Sequence, residues 1–142
     1  MIRIDGPRLL RDLHRLRRFG AVNYDERSFG GDGIAKGVSR VSLSREGVEA
    51  RKWFAGRCAE AGLSTSIDPL GTTLASRLGK RKRLLCGSHS DSQPEGGWLD
   101  GALGCVFALE ASRALQEATG IDPEACGIAV VNLAEEAGRF GT

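Results

Sequence analysis

The stretch from residue 83 to residue 133 constrains the fold most, because it predicts a strand, a helix and a second strand in close succession. Residues 83–87 form a short apolar strand, and residues 128–133 form a longer, nearly unbroken one. Between them a helix is predicted over about residues 100–118, with Gly120 beyond its end. Nearly continuous apolar strands are typical of parallel sheets that are buried on both faces. The segment therefore predicts a right-handed βαβ unit, and the fold class is α/β with a mostly parallel or mixed sheet.

Two further helices and a hairpin are predicted upstream of this unit. The first helix covers about residues 7–18, and the second begins after the N-cap Ser44 and ends at Gly62. Residues 63–78 read as two short strands around the turn at residues 68–71. The stripes that define the three helices are Leu9, Leu13 and Leu16 in the first, Ala50, Phe54, Cys58 and Ala61 in the second, and a polar stripe of Glu110, Arg113 and Glu117 in the third.

Length and composition exclude several classes of protein. With 142 residues, 41% of them hydrophobic and 27% charged, the chain has the size and composition of one globular domain. No apolar run approaches the ~20 residues of a membrane span, and the arginine-rich start does not resemble a secretory signal, so a cytoplasmic location is expected. The four cysteines are widely spaced, which disfavours a zinc finger and favours buried free thiols; they are Cys58, Cys86, Cys105 and Cys126.

Charge is distributed unevenly along the chain. Residues 1–57 carry 13 basic and 7 acidic groups, whereas residues 84–142 carry 2 basic and 9 acidic groups. The basic run at residues 80–83 has no interleaved aromatic residues, and no nucleic-acid-binding motif accompanies the arginine-rich first helix. The glycine-rich connection over residues 20–40 does not have the spacing of a phosphate-binding loop. We therefore expect neither a nucleic acid nor a membrane as a partner.

Acidic side chains and a histidine follow the two strands of the βαβ unit. His89 and Asp91 come after the first strand, Glu135 and Glu136 follow the second, and Asp100 stands at the start of the helix. Taken singly, Asp100 suits a helix N-cap and the glutamate pair suits a solvated turn. However, ligands of open α/β sheets gather at the carboxyl ends of the strands, and carboxylates crowded there repel one another unless a cation lies among them. The set together predicts a site for zinc or another divalent ion.

Four segments carry a resemblance to a known family. They are Gly-Val-Ser-Arg at 37–40, Gly-Ser-His-Ser-Asp-Ser-Gln-Pro at 87–94, Gly-Gly-Trp-Leu-Asp-Gly-Ala-Leu-Gly at 96–104 and Glu-Glu-Ala-Gly-Arg-Phe at 135–140. In this order they resemble the two-metal amidohydrolases related to aminoacylases and zinc carboxypeptidases, and among these the N-carbamoyl-L-amino-acid hydrolase and allantoate amidohydrolase branch. The chain departs from the family pattern at Ala134, where the family usually has asparagine.

The resemblance implies a role for each candidate residue. His89 would bind one metal ion, Glu136 a second, and Asp100 would bridge the two. Asp91 would orient the His89 ring, and Glu135 would be the general base that takes a proton from water. The implied cofactors are two divalent ions, either zinc or manganese, cobalt or nickel. The implied reaction is hydrolysis of a linear amide or carbamoyl C–N bond in a small N-substituted amino acid.

Length sets this chain apart from the family it resembles. Family members carry two further histidine ligands, a substrate-binding arginine and a dimerisation domain downstream of the glutamate pair. Residues 1–142 are therefore expected to be the N-terminal part of a catalytic domain, incomplete and inactive alone, with homodimerisation expected only for the complete enzyme. The alternative from another functional class is a non-catalytic fragment that binds a metal ion or a partner chain.

Overall fold

A computed structural model describes residues 1–22, 37–79, 83–120 and 127–136. Most of the glycine-rich connection and of the basic run lie outside these described residues, as do Cys126 and the Gly-Arg-Phe end of the last motif. The helices are Gly6–Arg17 (α1), Arg45–Glu60 (α2) and Ala102–Glu117 (α3), and the strands are Ser64–Ile67 (β1), Thr73–Ser76 (β2), Leu84–His89 (β3) and Ile128–Leu133 (β4).

The four strands form one mixed sheet in the order β1-β2-β4-β3. β3 and β4 pair in parallel, with a register that runs from Leu84 opposite Ile128 to His89 opposite Leu133. β2 is antiparallel to both β1 and β4. The predicted strand-helix-strand unit and α/β class are thus confirmed, and the register brings the ends of β3 and β4 to the same edge of the sheet.

The helix ends follow the capping residues in the sequence. The Ser44 side chain accepts a hydrogen bond from the backbone N–H of Gly47 at 3.1 Å, and Gly62 follows α2 with a φ of +75°. Asp5 caps α1 by accepting from the N–H of Arg8 at 2.9 Å. The predicted boundaries of the first two helices are therefore confirmed to within about two residues, the usual uncertainty of a helix end.

The core lies between the sheet and the helices in two connected groups of side chains. One group joins α2 and α3 to the sheet, and comprises Phe54, Cys58, Leu63, Ala75, Cys105, Ala108, Leu109 and Val130. The other joins α1 to its neighbours, and comprises Leu9, Leu13, Leu16, Val38, Ala50, Trp98, Ala102 and Val106. Burial raises the pKa of the Cys58 and Cys105 thiols to about 12, and both are free cysteines, as the sequence predicts.

The polar stripe of α3 packs against α1 and is largely removed from solvent, which the sequence does not indicate. The Glu110 side chain is fully buried and pairs with Arg8 Nε at 2.8 Å, and Arg113 pairs with Asp12 at 2.7 Å. Only Glu117 of the stripe remains exposed.

Among the described residues, no helix combines the length and the apolar character that crossing a membrane would require.

Candidate metal centre

The ends of β3 and β4 bring three potential metal ligands together. His89 is the last residue of β3, and Glu135 and Glu136 follow β4 by two and three residues. Each offers one ligand atom, and within the described part of the chain these three atoms lie within 4.8 Å of one another. His89 Nε2 is 3.6 Å from Glu135 Oε2. The parallel register explains this convergence, because residues beyond paired parallel strands emerge at one edge.

The His89 ring is held so that Nε2 faces this group. Nδ1 lies 3.2 Å from the main-chain oxygen of Asp91, which can only accept a hydrogen bond. A hydrogen bond at this contact requires the proton on Nδ1, and in that tautomer the lone pair on Nε2 is left to bind an ion. Gly101 lies against the Nε2 end of the ring, where a Cβ atom would overlap the imidazole.

Asp91 is the buried centre of the hydrogen bonding around these ligands. Its carboxylate is fully enclosed and accepts a hydrogen bond from the Ser42 hydroxyl. It also accepts from the backbone N–H groups of Glu135 at 3.1 Å and Glu136 at 3.0 Å. The carboxylate lies 3.6 Å from His89 Nδ1, farther than the main-chain oxygen. Asp91 therefore lies beside the ring, and its side-chain hydrogen bonds hold the segment that carries both glutamates.

Two buried arginines surround Asp91 and its neighbours, and the sequence interpretation assigned neither of them. Arg51 Nη2 is 3.5 Å from Asp91 Oδ1. Arg40, from the Gly-Val-Ser-Arg segment, donates to the main-chain oxygens of Ser90 and Leu16. Burial lowers the pKa of both guanidinium groups, that of Arg40 to about 10. This segment thus links the end of α1 to the segment after β3 and supports the site from behind.

Asp100 lies outside the convergent group. It is exposed, and its neighbour Gly101 is the residue that contacts the His89 ring. The N-cap interpretation of Asp100 is wrong, since α3 begins after Gly101 and no side-chain hydrogen bond caps it. Glu136, by contrast, is in the group and accepts from Gln93 Nε2 at 3.1 Å. Gln93 is a contact that spacing alone does not indicate.

The donor set fits a borderline divalent ion. One imidazole nitrogen with its second nitrogen hydrogen-bonded, together with two carboxylates, is a combination that suits zinc and similar metals. The carboxylates of Glu135 and Glu136 meet here, and the Asp91 carboxylate behind them is paired with Arg51. A positive ion between His89 and the glutamates would relieve the remaining repulsion.

Residues 72–142, half of the chain, match peptidase family M28. The chain belongs to this family. Among solved structures, this M28 chain is similar to an amidase of the hydantoinase/carbamoylase family from Burkholderia phymatum, with 42% identity and a TM-score of 0.84 over 100% of this chain and 32% of the other. The resemblance to the N-carbamoyl-L-amino-acid hydrolase and allantoate amidohydrolase branch, drawn from the sequence motifs, is thereby confirmed.

Curated relatives of this M28 chain are named as amidohydrolases. The N-carbamoyl-L-amino-acid amidohydrolase of Rhizobium meliloti is 41% identical over 61% of this chain and 22% of its own length. The allantoate amidohydrolase of Escherichia coli (strain K12) is 36% identical over 80% of this chain and 28% of its own length. The M28 chain therefore spans about a quarter of these curated relatives.

Proposed function

We propose that this chain is part of the catalytic domain of a metal-dependent amidohydrolase. The whole protein would hydrolyse a linear amide or carbamoyl C–N bond of a small N-substituted amino acid, of the N-carbamoyl amino acid or allantoate type. The convergence of His89, Glu135 and Glu136 at the sheet edge is the observation that carries the proposal. The names of the relatives, which are N-carbamoyl-L-amino-acid and allantoate amidohydrolases, support the substrate class.

The environments of the carboxylates support different roles for them. The Glu135 side chain is 62% exposed, so that it can reach both water and a substrate. Asp91 is enclosed and committed to hydrogen bonds, so it can orient neighbouring groups but cannot reach a water molecule in the site. We therefore assign the general base to Glu135, and to Asp91 the orientation of His89 and of the glutamate segment.

His89 would bind one metal ion and Glu136 a second, and Asp100 is proposed as the residue that would bridge the two. Two divalent ions are proposed for the complete protein, either zinc or manganese, cobalt or nickel. Such ions, when bound, polarise a carbonyl group and lower the pKa of water. The non-catalytic alternative is favoured by one observation, which is that Asp100 lies outside the group of three. A homodimer is proposed only for the complete protein.

A chimeric protein tests the proposal. Residues 1–142 are joined to the part of the Burkholderia phymatum amidase that they do not match, which is about two thirds of that chain. With zinc, manganese, cobalt or nickel, we expect the chimera to hydrolyse N-carbamoyl amino acids and the isolated chain to do so barely. Retained metal binding without any turnover in the chimera would favour the non-catalytic alternative.

Glu135→Gln in the chimera tests the assignment of the base. We expect turnover to fall by at least ~100-fold, the low end for a positioned general base, while the metal content stays unchanged. Glu49→Gln is the matched control, because Glu49 is an exposed acid on α2 that pairs only with Arg45 among the ion pairs described. Full turnover by the Glu135 variant would overturn its role, and metal-independent turnover would overturn the proposed class of enzyme.

A further inference from the structure

Arg51 is a buried cation that has no role in the reaction proposed above. It belongs to α2 and is 2% exposed, on the same side of the helix as the core residues Phe54 and Cys58. A guanidinium group in such a place is costly unless its surroundings compensate the charge. Its position therefore calls for an explanation in terms of what it contacts.

The Arg51 guanidinium bridges the ends of two strands from the helix layer. Its Nη2 lies 3.5 Å from Asp91 Oδ1, just beyond β3, and 3.3 Å from the main-chain oxygen of Leu133, the last residue of β4. The same nitrogen lies 3.4 Å from the Ser42 hydroxyl oxygen, and that hydroxyl in turn donates to Asp91. One side chain thus holds both strand ends against α2.

The groups that Arg51 contacts are the ones that hold the candidate ligands. The Asp91 carboxylate accepts the N–H groups of Glu135 and Glu136, and the Asp91 main-chain oxygen faces His89 Nδ1. A shift of Asp91 would therefore move the glutamate segment and free the imidazole ring together. Arg51 is not in the group of potential ligands and lies behind Asp91, so any effect on an ion is indirect.

We propose that Arg51 is a positioning residue of the metal centre. It fixes the Asp91 carboxylate and the end of β4, and so sets where Glu135 and Glu136 stand relative to His89. All three acceptors lie around one nitrogen, Nη2, at the far end of the guanidinium, and the shorter side chain of a lysine would not carry its ammonium group to that position. The effect on metal binding rests on the function proposed above; the effect on the glutamate segment does not.

The first test is made on the metal-free chain. Arg51→Lys keeps the charge on a shorter side chain that does not reach the position of Nη2, and Arg51→Gln serves as the second variant if the first does not fold. We expect hydrogen exchange of the Glu135 and Glu136 amides, measured by NMR, to become at least about tenfold faster than in the unchanged chain. Arg113→Lys is the matched control, because Arg113 is also buried and also contacts a carboxylate and a main-chain oxygen, those of Asp12 and Arg57.

The second test is a titration with zinc or cobalt of the same folded variants. We expect the affinity of the Arg51 variants to fall by about 10–100-fold, as for other residues that orient metal ligands, with a changed cobalt absorption spectrum. The Arg113 variant should keep the affinity of the unchanged chain even if its melting temperature falls. Equal effects of the two variants would mean that Arg51 only stabilises the fold, and the proposal would be overturned.

The two measurements separate this proposal from the proposed function. Unaltered exchange of both amides in a folded Arg51 variant overturns the positioning role, whatever the metal titration gives. Faster exchange in a chain that binds no metal before or after substitution would uphold the positioning of the glutamate segment. That result would instead count against a metal site formed by this chain.

Discussion

The imidazole of His89 occupies the space next to Gly101 that any side chain would fill. Gly101 has a φ of +64°, and a Cβ atom there would overlap the ring at Nε2, Cδ2 and Cε1. The glycine therefore does two things, since it permits the positive φ at the start of α3 and leaves room for the ring. At this residue, the turn into the helix and the orientation of a metal ligand depend on each other.

Gly101→Ala is expected to weaken zinc or manganese binding by at least about tenfold, because the ring must move away from the glutamates. Gly120→Ala is the control, since Gly120 also has a positive φ, of +79°, but nothing lies within 4 Å of the position that its Cβ atom would take. Both variants should lose unfolding free energy because an alanine is strained at a positive φ, and Gly101→Ala should lose more because its Cβ atom also meets the ring. Isothermal titration of both variants with zinc measures their metal affinities, and equal affinities would contradict the expected effect of Gly101→Ala.

At the residue scale, the sequence predicts which side chains converge at the sheet edge, but it does not predict their hydrogen-bond partners. His89, Glu135 and Glu136 could be brought together from the strand ends alone. The hydrogen-bond partners of Asp91 could not, because they depend on the dihedral angles of a loop that has no periodicity. The burial of Arg51 could have been predicted, because it precedes Phe54 and Cys58 by three and seven residues on the apolar stripe of α2.

At the scale of elements, the contact between α1 and α3 depends on buried charge. Glu110 is fully buried on α3 and receives two hydrogen bonds from Arg8, from Nε at 2.8 Å and Nη2 at 2.8 Å. The same arginine reaches Glu117, whose side chain is 55% exposed. The side-chain contacts with Arg8 lower the pKa of Glu117. One cation on α1 thus meets one buried and one solvated carboxylate on α3.

Glu110→Ala is expected to cost about 3–5 kcal/mol of unfolding free energy, since it removes one partner of a buried ion pair. Glu117→Ala removes the exposed partner of the same arginine and should cost about 1 kcal/mol or less, because solvent screens that pair. Urea unfolding of the two variants gives the comparison. Equal losses would mean that the pairing with Arg8 does not hold α1 in place.

The elements themselves were largely predictable, and their limits were set by contacts that lie far apart in sequence. β4 covers the predicted residues 128–133 because its apolar run is bounded clearly. β3 continues past the predicted end to His89, because pairing with β4 extends through Ser88 opposite Asn132. The antiparallel contact of β2 with β4 joins segments more than 50 residues apart and has no local sequence signal.

At the scale of the whole molecule, the described helices cover one face of the sheet and leave leucine side chains exposed on the other, called the open face. By register, Leu74, Leu85 and Leu133 lie on this face and are 43%, 61% and 43% exposed. On the opposite face, Ala75 and Val130 pack with α2 and α3 and are fully buried. β3 is also an edge strand of the sheet. Parallel strands are normally covered on both faces, and exposed apolar edges favour association.

We therefore expect the isolated chain to self-associate, and Leu85→Lys to shift it towards the monomer. Leu78→Lys is the control, because Leu78 is 82% exposed but lies after β2, outside the sheet. Both variants add one positive charge, so only the position on the sheet differs between them. Sedimentation velocity over a range of concentrations measures the effect. The chimera with the Burkholderia phymatum amidase should associate less even with Leu85 intact, if its additional chain covers this face. A concentration-independent monomer of the unchanged 142-residue chain would show that the open face does not drive association.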